Sequence, residues 1–261
     1  MKLKDQTILI TGGGSGIGLA LAEAFHKLGN QVIVSGRSPE KLRAAEAKGL
    51  SVLTGDMTNA DSVAALAAAA IAKFPKLNAV IHSAGIMVNE KLTRGDSAKV
   101  ATDTVLTNIL GPILLNQALI PHFLKQESAM IMTVSSGLAF LPLAMTPTYC
   151  ASKAAIHSYT ESLRYQLRNT PVEVKELVPP YVRTSLMGER QASDARAMPL
   201  EAYVEEVMAI LQRDPATEEI VVENARPLRD ASYGGRAAYD ELFNQRNDAF
   251  LAARKKEWDA L

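Results

Sequence analysis

A doubly wound α/β domain, a parallel sheet with helices on both faces, is the fold class this sequence predicts, and three observations predict it. Short β-branched runs alternate with longer helical patterns along the whole chain. Each run is nearly continuously apolar rather than alternating, as expected of a strand buried on both faces. A glycine-rich turn separates the first run from the first helical pattern, where a strand-to-helix loop can hold a phosphate.

The elements follow in order. TILIT (7–11) precedes GLALAEAFHKLG, QVIVSG (31–36) precedes SPEKLRAAEAKG, and SVLTGD (51–56) precedes NADSVAALAAAAIAKF. Four more strands are expected in LNAVIHSAG (77–85), SAMIMTVSS (128–136), VEVKELVPP (172–180) and EEIVVE (218–223). No linker, repeat or low-complexity stretch divides the chain, so residues 1–261 are expected to form one domain with a seven-stranded parallel sheet. Residues 224–261 read as a polar tail, loop-like up to Gly235 and helical afterwards. In that helix Arg246, Asp248, Arg254, Lys255 and Lys256 suggest a solvated face.

Composition narrows the function. The chain is 48% apolar and 21% charged, ordinary for a globular protein, and its 28 basic residues match 28 acidic ones. That balance argues against a nucleic-acid partner. A single cysteine, Cys150, excludes an intramolecular disulfide framework and agrees with a reducing compartment. The N-terminal apolar run is too short for an export signal, and NILGPILLNQALIPHFL is interrupted by Gly111, Pro112, Asn116 and Gln117. A cytoplasmic protein without a membrane span is therefore expected.

Two local patterns point to chemistry. TGGGSGIG (11–18) misses the common G-x-G-x-x-G, because Ile17 and Leu19 fall where glycine is needed. It satisfies T-G-x-x-x-G-x-G through Thr11, Gly12, Gly16 and Gly18. In TYCASKAAI (148–156), Tyr149 and Lys153 stand at i and i+4 of an expected helix and so share a face. An isolated phenol, with a pKa of about 10, is a poor acid at neutral pH, and a nearby ammonium is expected to favour its phenolate. The small residues Cys150, Ala151 and Ser152 between them leave room for a flat ring against the helix.

Together these motifs resemble the short-chain dehydrogenase/reductase family, a Rossmann-type oxidoreductase family with that glycine spacing and a Tyr-x-x-x-Lys site. The match runs over roughly residues 5–190. The resemblance implies catalytic roles for Asn108, Ser136, Tyr149 and Lys153, with Ser136 preferred to Ser135 because the family's serine lies thirteen residues before the tyrosine. Asn108, in LTNILG, is implied to distort its helix and help hold a water on the proton path. HSAG (82–85) is similar to the family's Asn-Asn-Ala-Gly, with His82 and Ser83 replacing both asparagines; His82 is expected to be a satisfied core residue. The implied cofactor contacts are Thr11, Gly12, Gly14, Ser15, Gly16, Ile17, Gly18, Arg37, Asp56, Met57, Ser83, Ala84, Gly85, Tyr149, Lys153, Pro179, Val182 and Thr184. Asp56 and Met57 match the position that lines an adenine ring.

At the end of the second strand, Gly36 takes the place of the acid that binds ribose hydroxyls in NAD-preferring folds, and Arg37 follows. With Ser15 as a second phosphate ligand, NADP(H) is favoured, and NAD(H) remains the alternative. VPPYVRTSL (178–186) carries Pro180 where the family has glycine, a feature similar to a subgroup of oxidoreductases named after the lipoteichoic acid D-alanylation operon. Candidate pocket residues are Met87, Val88, Leu138, Phe140, Leu141, Tyr181, Leu186 and Met187, which suit a hydrophobic ketone or alcohol. No metal is implied. A dinucleotide-sensing protein without catalysis is the competing function, although such sensors typically lack the tyrosine and lysine. The helices expected over about 97–125 and 149–169, with Ile113, Leu114, Ala118 and Ile156, match the pair that commonly forms the family's dimer interface, so a homodimer is expected.

Overall fold

The computed structural model describes residues 2–260. Seven strands, β1 (Thr7–Thr11), β2 (Gln31–Gly36), β3 (Ser51–Thr54), β4 (Ala79–His82), β5 (Ala129–Val134), β6 (Val172–Val178) and β7 (Glu219–Val221), make one sheet in the order β3-β2-β1-β4-β5-β6-β7. Every pairing is parallel. The first two strands have the bounds the sequence predicts. The other five are shorter, because their last residues leave the ladder and turn toward the helices that follow.

Helices α1 (Gly16–Lys27), α2 (Pro39–Glu46), α3 (Ala60–Lys73), α4 (Ala98–Val105), α5 (Gly111–Phe123), α6 (Pro147–Leu167), α7 (Glu189–Ser193) and α8 (Leu200–Arg213) supply the crossovers. Side chains alternate across β1: Ile8 and Ile10 enter one core with Phe25 of α1 and Tyr203 and Val207 of α8, while Leu9 enters the other with Leu66 of α3, Leu119 of α5 and Leu163 of α6. Each such side chain, removed wholly from water, contributes about 1.5–3 kcal/mol before the entropy of ordering it is counted. Removing one face would expose the other side of every central strand. The stretch Ala98–Phe123 is long and apolar enough to cross a membrane by length and composition, yet its inner face lies in the second core.

Between α4 and α5 the helix widens into a π-turn at Leu106–Leu110, which contains the buried Asn108. Such single-turn bulges let a polar group leave the ladder and are frequent at functional sites. The tail differs from the loop expected up to Gly235. Short helical turns occupy Glu223–Ala225, α9 (Arg226–Arg229) and Ala231–Gly234, followed by α10 (Gly235–Ala253) and α11 (Lys255–Ala260).

The expectation of a solvated tail face fails at Arg254, whose side chain is 4% exposed. Its Nη2 donates to the Tyr181 hydroxyl at 3.0 Å and lies 3.4 Å from Asp194 Oδ2, and its Nη1 reaches Glu257 at 3.3 Å. A buried guanidinium is tolerable only when paired and hydrogen-bonded, and these partners meet that condition for both Nη groups, while Nε is left without a partner. Asn247 of α10 fastens the tail to a second loop, accepting from the Ala144 amide at 2.6 Å and donating to the Pro142 carbonyl at 3.2 Å.

Candidate active site

At the carboxyl ends of the strands, the place where a doubly wound sheet binds its ligands, lies a cavity of about 790 Å³. Its floor begins at the turn after β1. Gly12 has φ +67°, and a Cβ there would stand 2.7 Å from the Ala84 Cα, so only glycine lets β1 and β4 approach so closely. Thr11 is fully buried below and its hydroxyl accepts from the Ala84 amide at 3.2 Å, which ties the two strand ends together.

The other glycine argument concerns ligand space. Gly16 has φ +53°, and a Cβ on it would meet only Thr184, at 3.6 Å, inside the cavity. Ser15, the N-cap of α1, makes no side-chain capping bond, and no acidic residue occupies the first turn. The first amides of α1 are therefore left with their partial positive charge facing a cavity that Ser15, Gly16, Ile17 and Gly18 line, the chemistry of an anion cradle. A dinucleotide phosphate fits this donor set. Lys41, which sequence reasoning missed, lines the same end, and a Cβ on Gly14 would lie 3.1 Å from its Cβ.

The wall is formed by the residues that follow β4, β5 and β6: Ser83, Ala84 and Gly85, then Ser135 and Ser136, then Pro179, Pro180, Tyr181 and Val182. Tyr149 and Lys153 of α6 face it from one side. The helix carrying them is capped at long range. Glu90, 3% exposed, accepts from the Thr148 amide at 3.0 Å and from the Thr148 hydroxyl at 2.8 Å, one residue before Tyr149. Nothing local in the sequence announces that contact, since 58 positions separate the partners.

Ser136 and Tyr149 face each other across the cavity wall, and the serine hydroxyl acts to lower the pKa of the phenol. The Ser136 hydroxyl oxygen also accepts from the Leu138 amide at 3.1 Å, whereas Ser135 is buried with its hydroxyl 3.5 Å from the Leu177 carbonyl. Lys153 Nζ lies 5.6 Å from the centre of the Tyr149 ring and donates to the Val134 carbonyl at 2.7 Å. Burial pushes the Lys153 pKa down to about 8, against the upward pull of the Glu176 carboxylate. The Tyr149 phenol does not follow the expectation of a lowered pKa. Burial pushes it well above its ordinary value and the Ser136 hydroxyl only partly offsets that, because the lysine ammonium is turned to the Val134 carbonyl. The phenol is thus a neutral donor at physiological pH.

Asn108 does not line the cavity but stands behind it. Its Oδ1 accepts from the Ile86 amide at 2.9 Å, and its Nδ2 donates to the Ile86 carbonyl and to Ser152 Oγ, both at 3.0 Å. Ser152 in turn donates to the Tyr149 carbonyl at 2.7 Å. The π-turn asparagine therefore ties the segment at Ile86, which follows β4, to the part of α6 that carries Tyr149. None of the small residues between Tyr149 and Lys153 lines the cavity: Cys150 and Ser152 are buried in packing, and Ala151 is exposed to solvent.

The remaining expectations divide. Arg37 and Asp56 lie outside the cavity lining at the ends of β2 and β3, 3.9 Å apart. Burial raises the Asp56 carboxyl, but hydrogen bonds from Thr58 and the Arg37 charge outweigh it and hold it below the usual range. Met57 is buried in the second core beside Gly111. Gly14 is not a wall residue. His82 is buried, with Nε2 2.7 Å from Asn116 Oδ1, and desolvation lowers its pKa to about 4, so it stays neutral. Of the pocket candidates, Met87, Leu138, Leu141, Tyr181, Leu186 and Met187 line the cavity. Val88 instead points to solvent, and Phe140 packs edge-on to His157 with ring centres 4.6 Å apart. Sequence reasoning also missed Gln191, Arg196 and, from the tail, Arg246, Ala249 and Phe250, all of which line the cavity.

Comparison with known proteins gives a consistent picture. The family model for short chain dehydrogenases matches residues 6–195. The uncharacterized oxidoreductase DltE of Bacillus subtilis (strain 168) is 40% identical over 253 residues, covering 95% of this chain and 98% of that protein. Among solved structures, a short chain dehydrogenase from Burkholderia cenocepacia in complex with NADP has a TM-score of 0.81 at 22% identity, covering 93% of this chain and 99% of that one. The 3-ketoacyl-(acyl-carrier-protein) reductase of Brucella melitensis, complexed with NADH, has a TM-score of 0.75 at 25% identity, covering 84% of this chain and 96% of that one.

Proposed function

The chain belongs to the short-chain dehydrogenase family of NAD(P)-dependent oxidoreductases, and on that premise we propose that it moves hydride between NADP(H) and a carbonyl or alcohol substrate, with Tyr149 as the acid and base. The observation that carries this reading is the convergence of Ser136, Tyr149 and Lys153 on the wall of one cavity whose floor is the uncapped start of α1. The cofactor, when bound, supplies the hydride for reduction or accepts it in oxidation. Gly12, Ser15, Gly16, Ile17 and Gly18 would hold its phosphates, and Ser83, Ala84, Gly85, Pro179, Val182 and Thr184 its nicotinamide half.

The protein's own groups then manage the oxygen. Ser136 holds the carbonyl oxygen by a hydrogen bond, and the neutral Tyr149 phenol gives that oxygen its proton as negative charge develops there. Lys153, whose ammonium is held by the Val134 carbonyl in the resting site, stabilises the phenolate left behind once it turns to that oxygen. In oxidation the phenolate removes the alcohol proton. Substrate-dependent loss of reduced-nicotinamide absorbance, followed over a panel of ketones and aldehydes with NADPH and NADH, tests the reading. Turnover with NADPH is the expected result, and its absence across the panel is the contrary one.

NADP(H) is favoured by Arg37 at the end of β2, by the absence of an acid at Gly36, and by Lys41 beside the glycine loop. The Arg37 side chain is 61% exposed, so its contribution to a 2′-phosphate is set at the low end for a charged hydrogen bond. Arg37→Ala is expected to weaken NADPH by about tenfold in a fluorescence titration and to leave NADH nearly unchanged. Equal weakening of both would assign the arginine another task.

The assembly proposed is a homodimer through the outer faces of α4, α5 and α6. Val105, Leu110, Leu124 and Tyr165 are exposed there, while Ile156 is committed to the core of its own subunit. Light scattering at micromolar concentration should give twice the 28.1 kDa chain mass. A monomer, or a tetramer that survives removal of the tail, would contradict it.

A further inference from the structure

The charged lining of the cavity is one-sided. Lys41, Lys153, Arg196 and Arg246 line it and no carboxylate does, in a chain whose 28 basic residues are balanced by 28 acidic ones. Lys41 stands beside the glycine loop and Lys153 beside the phenol, so both already have a place. Arg196 and Arg246 do not. They fall beyond residue 195, where the match to the family model ends, in the part of the chain that also brings Met198, Leu228, Ala249 and Phe250 to the lining.

Neighbouring groups do not cancel that charge. Arg190 pairs with Glu257, Arg196 with Asp194 at 2.8 Å, and Arg254 with Asp194 at 3.4 Å and Glu257 at 3.3 Å, so three guanidiniums share two carboxylates. Arg246 has no ion pair or hydrogen bond among the described residues. Its own helix offers none, since the positions three and four residues away are Leu242, Phe243, Ala249 and Phe250. Two other tail cations contrast with it: Arg236 holds Asp240 at 2.9 Å and Lys255 holds Asp259 at 2.8 Å. The adjacent Asn247 anchors α10 to the loop over 142–144, which fixes the base of the Arg246 side chain at the cavity rim.

We propose that the substrate is an anionic carbonyl or alcohol compound, with a carboxylate or phosphate head separated from the reacting carbon by an apolar stretch, and that Arg246 receives the head. A guanidinium presents a planar fork that matches either oxyanion, and a cation-lined cavity raises the local concentration of anions. Leu138, Leu141 and Met187 supply the apolar wall for the intervening chain. This inference rests on the oxidoreductase reading and narrows its substrate from hydrophobic to amphipathic.

The test uses oxocarboxylic acids of graded spacer length, their methyl esters, and phosphate esters of matching hydroxyketones. For each, kcat/KM is measured with NADPH, and the dissociation constant is measured by calorimetry on the enzyme saturated with NADP. At the best spacing the anion is expected to be preferred over the neutral ester by about tenfold, the low end for a charged hydrogen bond because the guanidinium stands at an exposed rim. R246Q should collapse that preference, R246K should keep part of it, and R236Q on the outer side of the same helix should keep all of it. The ratio of carboxylate to phosphate identifies the head. Esters used as well as acids at every spacing, or a preference that survives R246Q, would overturn the proposal. Should none of the compounds turn over, the oxidoreductase reading has failed and calorimetry alone decides this one: anion binding weakened by R246Q supports it, and anion binding unchanged by R246Q overturns it.

Discussion

Tyr149→Phe is expected to lower kcat by about 10² to 10⁴-fold, the range for loss of a general acid, while the dissociation constant for NADPH stays within about twofold of the parent. Tyr149 is 8% exposed, so removing one oxygen from a well-packed ring changes the chemistry more than the packing. Burial already keeps this phenol protonated, which suits donation to a carbonyl oxygen. Steady-state rates and a cofactor titration on the same preparation separate the two effects. A Phe variant with half the parent rate would remove Tyr149 from the reaction.

Lys153→Ala is expected to be as severe and to act on two quantities. The Lys153 side chain is 6% exposed, its ammonium donates to the Val134 carbonyl, and it is the cation nearest the phenolate that proton donation leaves behind. Removal takes a donor from the Val134 carbonyl and a positive charge from the fully buried Glu176, which also bonds His157 at 2.9 Å. Turnover should fall by about 10²-fold or more and cofactor affinity should fall with it. A change in only one of the two would refute the dual role.

The pH dependence has a definite sign. The lysine pKa is depressed to about 8, so the ammonium is present below that pH and is lost as pH rises through it. In the folded state the group is neutral between about 8 and its ordinary value of 10.5, where the unfolded chain still binds the proton, so this residue makes stability rise with pH across that window. Reductive kcat/KM should fall across the same window. A rate that stayed flat up to the ordinary lysine range would contradict the role given to the charge.

Some of this was legible in the sequence because its causes are local. The glycine spacing after β1, the continuous apolar runs of central strands and the i, i+4 pair on α6 each depend on residues within a few positions of one another. The inner face of the active site followed from those patterns, and Asn108 sits in the distorted turn that the resemblance implied. What was not legible depends on distance along the chain or on direction. Glu90 caps α6 from 58 residues away. Arg254 looks like a surface residue until the end of α10 brings it 3.0 Å from Tyr181, 73 positions earlier. Val88 and Phe140 have the right composition for a pocket and the wrong orientation. The phenol pKa was misjudged for a similar reason: spacing places the lysine on the same face, but only the fold reveals that its ammonium is turned to a backbone carbonyl.

Hydride transfer onto a carbonyl carbon is followed with NADPH carrying deuterium at both positions of the reactive ring carbon, the best ketone from the panel, and mass spectrometry of the product. The expected product is an alcohol with a single deuterium bound to the former carbonyl carbon, formed by the parent enzyme and barely formed by Tyr149→Phe. A product whose new carbon-bound hydrogen comes from solvent, or consumption of the cofactor without a labelled alcohol, would contradict it.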